Sequence, residues 1–387
     1  MNRAACFTLQ TRMVYHYLRR HNRLTTYNSY LRGEIDRNTL YASVPNRVHR
    51  SVIHAIINEE TISSIFERVD RLVGRREVDV IVGGPPCQAY SVVGRARDKN
   101  GMRGDERNYL YKYYARFLTK YEPKAFVFEN VLGLQTAENG LYLRNMKAYF
   151  KRIGYELAPI VLNARDYGVL QNRRRIIIVG WRKELTSFRL PTLRKVKWNY
   201  TVADAIQDLL PIQAGEGTLR ASGYGGPTTD YLKRTAIRNG RDTVTLHYAR
   251  PHSTQDLEIY RIAVREWTIS GRRLQYLDLP RALRTHSNTT SFHDRFKVVA
   301  AEATYSHTIV AHINRDGHHY IHPDIHQNRS LSIREAARIQ SFPDDYYFEG
   351  ITESNPRTAA FKQIGNAVPP LMAHRLAQGL AKMLRNG

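Results

Sequence analysis

The run Val78-Asp79-Val80-Ile81-Val82 passes directly into Gly83-Gly84-Pro85-Pro86-Cys87-Gln88-Ala89-Tyr90-Ser91, and this junction constrains the fold more than any other stretch. The first five residues are mostly β-branched and apolar, the composition of a strand. Two glycines and two prolines close it, because glycine supplies turn geometry and proline has no N–H to give to a ladder. A cysteine at that point sits on a stiff loop at the end of a sheet. In open α/β sheets the strand ends are where ligands bind. A cysteine beside a turn is more often a small buried hydrophobe than a reactive group. For Cys87 the Pro-Pro-Cys-Gln setting and the residues downstream reverse that order.

The chain has 387 residues and 42% hydrophobic content, enough for a large core and two lobes. Its 59 Lys and Arg against 35 Asp and Glu leave a net charge of +24, which repels itself unless a polyanion is near. Nucleic acid is the expected partner. A basic protein of membrane surfaces would need a lipid anchor or an anchoring amphipathic helix, and neither is visible. No window approaches a membrane-spanning length. The start, Met1-Asn2-Arg3-Ala4-Ala5-Cys6, has no apolar core of the signal-peptide kind. Two cysteines without a secretion signal predict a reducing, cytoplasmic setting and no disulfide framework.

Residues 1–77 read as a basic, mainly helical segment. Met13, Val14, Tyr17 and Leu18 recur at helical spacing within Arg12 to Arg20. Ile53, Ile56, Ile57, Ile62, Ile65 and Val69 do so between Asn46 and Val73. Amphipathic helices packed on a core explain both stripes. Residues 78–195 alternate between strands and helices. Val78 to Val82, Ala125 to Phe128, Ala158 to Leu162 and Ile176 to Val179 read as strands. Asn108 to Tyr121 and the stripe Leu143, Met146, Phe150, Ile153 read as helices. That succession predicts an α/β fold with a parallel sheet and crossover helices. Residues 196–325 lose the rhythm and carry many glycines, histidines and arginines, as an irregular second lobe would. Residues 326–387 return to order. Ser332-Ile333-Arg334-Glu335 is a capping box opening a helix to about Gln340. Pro369-Pro370 starts a last helix with Leu371, Leu376, Leu380 and Met383 on one face.

Three features accompany Cys87. Glu129-Asn130-Val131 follows the strand Phe126 to Phe128, placing a carboxylate at a strand end. Gln171-Asn172-Arg173-Arg174-Arg175 runs into Ile176-Ile177-Ile178-Val179. If strand geometry begins at Arg173, then Arg173 and Arg175 share a face. Two guanidiniums beside a thiol would favour thiolate and hold an anion. Gln363-Ile364-Gly365-Asn366-Ala367-Val368-Pro369-Pro370 reads as a polar turn before a helix. Taken singly, each has a plainer explanation: a solvated strand-end acid, a basic strand entry, an ordinary loop. His318, His319 and His322 lack the cysteine or carboxylate spacing of a zinc site, and no metal is expected.

Taken in order, Pro-Pro-Cys-Gln, Glu-Asn-Val, Gln-x-Arg-x-Arg, Arg-Glu-Ala-Ala-Arg-Ile-Gln-Ser-Phe-Pro and Gly-Asn-Ala-Val resemble the cytosine-5 DNA methyltransferases of bacterial restriction-modification systems. The resemblance spans about Val78 to Gly387. It implies a Rossmann-like, mostly parallel sheet of the class I methyltransferases, with residues 78–195 catalytic, 196–325 forming a smaller target-recognition lobe, and 326–387 returning to the catalytic domain. It implies attack of the Cys87 thiolate on C6 of a flipped-out cytosine in duplex DNA, with S-adenosylmethionine as methyl donor. Glu129 would hold the N3 and N4 edge, while Arg173 and Arg175 orient the base carbonyl and the thiolate. Pro86, Asn366 and Val368 match positions near the cofactor. Gln88, Arg95 and Arg107 match the loop that closes over DNA.

One family element is not found: the loop Phe-x-Gly-x-Gly-Gly that cradles the methionine part of the cofactor. Gly33 is the only glycine before Gly74, and Phe7 is followed by Thr8-Leu9-Gln10. The expectation is a sheet lacking its first strands, with an unpaired edge or exposed apolar surface, and a second polypeptide as a source of the missing strands. A catalytically silent or split DNA-binding subunit is therefore an alternative. An RNA cytosine-5 methyltransferase of the same fold is another; those relatives usually have a shorter recognition lobe and a different residue after the cysteine.

Overall fold

A computed structural model of the chain describes residues 2–85, 110–190 and 192–385. They form two compact units. One comprises Met1–His54, Gly168–Asn172 and Lys197–Leu371; the other comprises Ala55–Tyr167, Arg173–Val196 and Met372–Gly387.

The second unit is built on a sheet of β1 (Val80–Gly83), β2 (Ala125–Asn130), β3 (Tyr155–Asn163) and β4 (Arg174–Arg182), in the order β1-β2-β4-β3. β1 and β2 run parallel, in register from Val80 against Ala125 to Gly83 against Phe128, and the helix Leu110–Tyr121 lies between them in sequence. Ala125, Phe126, Val127 and Phe128 are all buried, as in a strand covered on both faces. Phe126 and Phe128 sit edge-on to Phe150 and Tyr114, with the Phe126 and Phe150 centroids 5.1 Å apart. Such aromatic pairs add about 0.5–1.5 kcal/mol each beyond area burial. One strand departs from the expected parallel sheet: β1, β2 and β3 share a direction, and β4 runs antiparallel to both β2 and β3. The segment joining β3 to β4 holds only the short 3-10 turn Ala164–Tyr167. A parallel return needs a crossover of a dozen or more residues, usually a helix. Among the described residues β1 has one strand neighbour, β2, and its Val82 is 71% exposed.

The stripe expected from Asn46 to Val73 breaks into the helices Asn46–Arg50 and Ile62–Val73, and Ile56 and Ile57 between them are exposed. Local side-chain bonding accounts for the break. The Asn58 amide N–H donates to Thr61 Oγ1 (3.2 Å), and Thr61 N–H donates to Asn58 Oδ1 (2.9 Å). Such bonds compete with helical ones.

In the first unit the helices α1 (Arg3–Arg20) and α2 (Leu24–Arg32) bury Val14, Leu18, Tyr27 and Tyr30 in one core with Ile333, Ala337, Tyr347 and Phe361. Residues 196–325 carry the long helix Thr254–Ser270, a two-stranded pairing of Gly217–Thr218 with His247–Tyr248, and much irregular chain. The capping box at Ser332 is formed: Glu335 N–H donates to Ser332 Oγ (3.1 Å), and Ser332 N–H donates to Glu335 Oε2 (2.7 Å). The helix it opens, Ile333–Ile339, is buried all round. Its three charged residues are therefore compensated internally, Arg334 by Asp344 at 3.9 Å and the other two more closely. Arg338 bridges Asp208 (2.5 Å) and Asp344 (2.7 Å), and Glu335 takes both terminal nitrogens of Arg329 at 2.7 Å. The polar turn expected at Gln363 to Asn366 is instead the last turn of the helix Arg357–Asn366. Gly365 is there for contact, since a Cβ at this position would lie 2.3 Å from Ala311 N and the Val310 carbonyl carbon. The final helix, Pro370–Arg385, buries Met372, Leu376, Leu380 and Met383, so Met372 takes the place expected of Leu371.

Two predictions follow from the buried charges. Arg338→Ala removes the cation shared by Asp208 and Asp344 and leaves them, among the described residues, only the cations Arg238 (2.8 Å) and Arg334 (3.9 Å); denaturant unfolding should show a loss of about 3 kcal/mol, and a loss under about 1 kcal/mol would show that the pairs do not hold this helix. Burial lowers His252, His307, His319 and His322 from 6.5 to about 4. Between these values the unfolded chain binds more protons than the folded one, so stability is complete above 6.5 and declines as pH falls toward 4. Thermal unfolding followed from pH 7 to 5 should show a falling midpoint, with a shallower fall in His322→Gln.

Candidate active site

The site grows from the ends of neighbouring strands in the sheet unit. Tyr114, on the helix Leu110–Tyr121, places its hydroxyl 3.0 Å from the carbonyl oxygens of Ile81 on β1 and Val127 on β2. Its single proton is shared between two strands and ties them at the level where the loop begins. The register that pairs Gly83 with Phe128 brings Gly84 beside Glu129: a Cβ on Gly84 would lie 3.0 Å from Glu129 Oε2. The absence of a side chain at Gly84 is what admits the carboxylate. Next in line, Asn130 Nδ2 approaches the Pro85 carbonyl oxygen at 3.5 Å, while Asn130 Oδ1 accepts from Val131 N–H (2.9 Å). β2 thus holds the start of the Gly-Pro-Pro-Cys loop through Glu129 and Asn130.

β4 supplies the cation. Glu129 pairs across the ladder with Ile177, which makes Arg175 its diagonal neighbour on the same face. Arg175 Nε lies 2.9 Å from Glu129 Oε1, with the side chains 13% and 20% exposed. Arg173 immediately precedes β4 and is fully buried, whereas Arg174 is exposed and Arg175 half-buried. The Arg173 backbone is fixed at the strand entry: its N–H donates to Asn163 Oδ1 (3.1 Å) and its carbonyl accepts from Ala164 N–H (2.9 Å). Burial pushes the Glu129 carboxyl above its ordinary 4.5, against the opposing pull of Arg175 and then Arg173. The strand end therefore holds a carboxyl group that keeps its proton more firmly than an exposed glutamate, in contact with a fixed guanidinium. Such a group can donate to a ring nitrogen and then remain as a stabilised anion.

Of the residues singled out from sequence, Glu129, Arg173 and Arg175 come together here. Pro86, Cys87, Gln88, Arg95 and Arg107 lie outside the described residues. Asn366 and Val368 lie in the other unit, at the end of the helix Arg357–Asn366; Asn366 is exposed and Val368 half-buried. The turn that carries them is anchored by a relay not expected from sequence. Gln171 Nε2 donates to Gln340 Oε1, and Gln340 Nε2 donates to the carbonyls of Ala367 (2.7 Å) and Ile364 (3.2 Å). Gln171 Oε1 accepts from Ile309 N–H (3.0 Å). Two fully buried amides in motifs already quoted were the available signal, but burial of a glutamine is not visible in a sequence. Of the histidines, His318 Nδ1 meets the Tyr260 hydroxyl at 2.8 Å and His322 Nε2 lies 3.5 Å from Glu335. Among the described residues no three His, Cys, Asp or Glu are grouped to hold a metal ion.

The sheet unit thus brings a buried acid and its arginine partner to one strand end, beside Gly84 and Pro85 of the segment that leads in sequence to Cys87. Known proteins show the family to which the chain belongs. The profile described as C-5 cytosine-specific DNA methylase matches residues 27–382. The type II methyltransferase M.Bpa9945I of Bacillus paralicheniformis is 39% identical, over 98% of this chain and 92% of its own. M1.HphI of Haemophilus parahaemolyticus, also named a type II methyltransferase, is 33% identical over 86% of this chain and 76% of its own. In fold, the chain is similar to a structure described as a candidate DNA modification methyltransferase encoded within an E. coli prophage (TM-score 0.58, 22% identity, 85% of this chain and 84% of that one). The chain belongs to the C-5 cytosine-specific DNA methylase family. The likeness to the prophage structure is one of fold. No helix among the described residues is long and apolar enough to cross a membrane.

Arg175→Gln should raise the Glu129 midpoint further, because the guanidinium is the larger of the two charges that lower it. A carboxyl-carbon NMR titration of the labelled protein measures this directly; an unchanged or lower midpoint would mean that the pair has no electrostatic weight.

Proposed function

We propose that this chain methylates C5 of a cytosine flipped out of duplex DNA, at a sequence selected by its irregular lobe, through a covalent bond between Cys87 and C6. The supporting observation is the Glu129–Arg175 pair at 2.9 Å, held against Gly84, three residues before Cys87. The Cys87 sulfur, as thiolate, forms a bond to C6, and the ring electrons move so that C5 becomes an enamine-like nucleophile. This displacement needs a proton at N3. Glu129, with its raised affinity for a proton, supplies it and is left as a carboxylate beside Arg175. Arg173 adds a second positive charge that favours the same anion. After C5 gains its methyl group, the C5 proton passes to water, the sulfur–C6 bond breaks to return the thiolate, and the N3 proton goes back to the Glu129 carboxylate, which restores the aromatic ring and the starting acid.

S-adenosylmethionine, when bound, supplies that methyl group on a positively charged sulfur, which makes it electrophilic. Asn366 and Val368 fit a nucleoside ligand in kind. An exposed amide can hydrogen-bond to it, and a partly open isopropyl group can pack on a ring. Pro86 completes the set by its place in the motif. Gln88, Arg95 and Arg107 would close over the DNA, and residues 196–325 would read its sequence through loops in the major groove. As in the relatives named type II methyltransferases, the activity would belong to a restriction-modification system.

The test is methyl incorporation into duplex DNA by the full chain and two variants. Glu129→Gln should lower turnover by roughly 10²–10⁴-fold, the range of a positioned acid. Cys87→Ser should abolish turnover while leaving DNA affinity in place. Retention of more than about a tenth of parental turnover by Glu129→Gln would overturn the role given to the clamp.

A further inference from the structure

A cavity of about 490 Å³ opens in the first unit, lined by Tyr15, Arg19, Asn28, Arg32, Asn239 and Arg241. α1 and α2 form one wall and the turn at residues 239–243 the other. Three guanidiniums face one carboxylate, that of Asp242, among the lining residues. Arg20 and Arg23, both exposed on the turn from α1 to α2, extend the positive field.

The surroundings of the cavity are arranged so that this charge is not cancelled from behind. Asp345 lies beyond the wall and is fully engaged: Arg12 Nη1 at 2.8 Å, Asn239 Nδ2 at 2.9 Å, and the Tyr15 hydroxyl. Those contacts hold its carboxyl below the ordinary carboxylate range despite burial. They also fix Tyr15 and Asn239 as rigid parts of the lining. Arg241 donates to Asn28 Oδ1, which sets the guanidinium and leaves the Asn28 amide hydrogens as donors. Arg32 meets Glu34 with both side chains about half in water (45% and 51% exposed). Two hydrogen bonds, from Arg32 Nε and Nη2, join the pair, so the charge offered to a ligand comes from Arg19 and Arg241. Guanidinium forks with amide donors match the oxygens of a phosphodiester. The volume exceeds that of a single phosphate, and the pocket has an apolar side in Leu24 and the Tyr15 ring, as a sugar–phosphate segment requires.

We propose that this cavity takes a sugar–phosphate segment of the DNA backbone, a contact that holds the duplex without reading its bases. The proposal rests on the DNA-methylating function argued above, and it adds α1 and α2 to the DNA-binding surface. The experiment titrates a short mixed-sequence duplex onto the full chain across a salt series, for the parent, Arg19→Gln and Arg19→Gln/Arg241→Gln. Each phosphate contact contributes roughly 0.9 to the slope of log affinity against log salt. The slope should therefore shrink by about 1 in the single variant and about 2 in the double, with affinity at low salt falling about tenfold or more. Arg19 is exposed on the last turn of α1, so its replacement leaves the core intact even if the double variant unfolds. A parental slope in a folded Arg19→Gln protein overturns the proposal, as does a parent chain that fails to bind duplex. Methyl transfer is assayed separately. A parent that binds through these arginines yet transfers no methyl keeps the pocket and loses the enzymatic reading; a parent that methylates while Arg19→Gln keeps its slope does the reverse.

Discussion

A carboxylate at the end of a buried strand must be either neutralised or paired, and Glu129 is held between those two conditions. Removal from water raises its hold on a proton, while Arg175 at 2.9 Å and Arg173 nearby lower it. Neither influence eliminates the other. The balance follows from backbone register: Glu129 opposite Ile177 makes Arg175 the diagonal neighbour, and Gly83 opposite Phe128 brings the side-chain-free Gly84 to the carboxylate. A slip of one residue in either ladder would turn the acid to the other face of the sheet. The Tyr114 hydroxyl, between carbonyls of β1 and β2, and the aromatic cluster of Phe126, Phe128 and Phe150 make such a slip costly. The aromatic packing on one side of the sheet thus sets the chemistry at its end.

The first unit solves a different problem, since its helix Ile333–Ile339 is buried on every side yet carries Arg334, Glu335 and Arg338. Each has specific partners, some close in sequence and others, Asp208 and Thr245, from distant segments. Arg338 is held by Asp208 and Asp344, Glu335 by Arg329, and Arg334 by the carbonyls of Thr245, Pro343 and Tyr346. Buried pairs of this kind add little net stability compared with apolar packing, but losing one partner is costly. They specify one arrangement of the segments 205–250 and 329–349 among the many that a generic apolar core would allow. An irregular lobe with few regular elements has little else to fix its loops.

The elements most legible in sequence were those whose local signals agree with their tertiary environment. The capping box at Ser332, the parallel pair of β1 with the strand that carries Glu129, and the helices Leu110–Tyr121 and Leu141–Arg152 are of this kind. The Glu-Asn-Val and Gln-x-Arg-x-Arg motifs were legible as chemistry, although the contact between Glu129 and Arg175 depends on an antiparallel β4 that periodicity alone could not reveal. Strand direction is decided by the length and content of the connection, and the 3-10 turn after β3 has no strong sequence signature. Gly365 misled in the opposite way. A Gly-Asn pair reads as a turn, yet the glycine is needed because Val310 and Ala311 pass against the helix. The polar relay from Gln171 through Gln340 to Ala367 was illegible for a related reason, as nothing local marks a glutamine that will be buried.

These two kinds of constraint divide the work of a base-modifying enzyme in a physically sensible way. The proton transfer to N3 proposed for Glu129 would depend on tenths of an ångström and on one dielectric boundary, which suits a residue that stands on a strand and is opposed by a residue of the adjoining strand. Holding a charged duplex depends on summed charge over a broad surface and tolerates looser placement, because phosphate attraction acts through water and falls off with salt. The net charge of +24 is large enough for that second task, and much of it lies on exposed arginines such as Arg19, Arg20 and Arg23 that make no demand on the core. The arginines that do enter the cores, Arg173, Arg329, Arg334 and Arg338, are individually enclosed. The same residue type therefore occurs in two settings, and burial distinguishes them: enclosed arginines set geometry, and exposed ones supply the charge for the proposed DNA contacts.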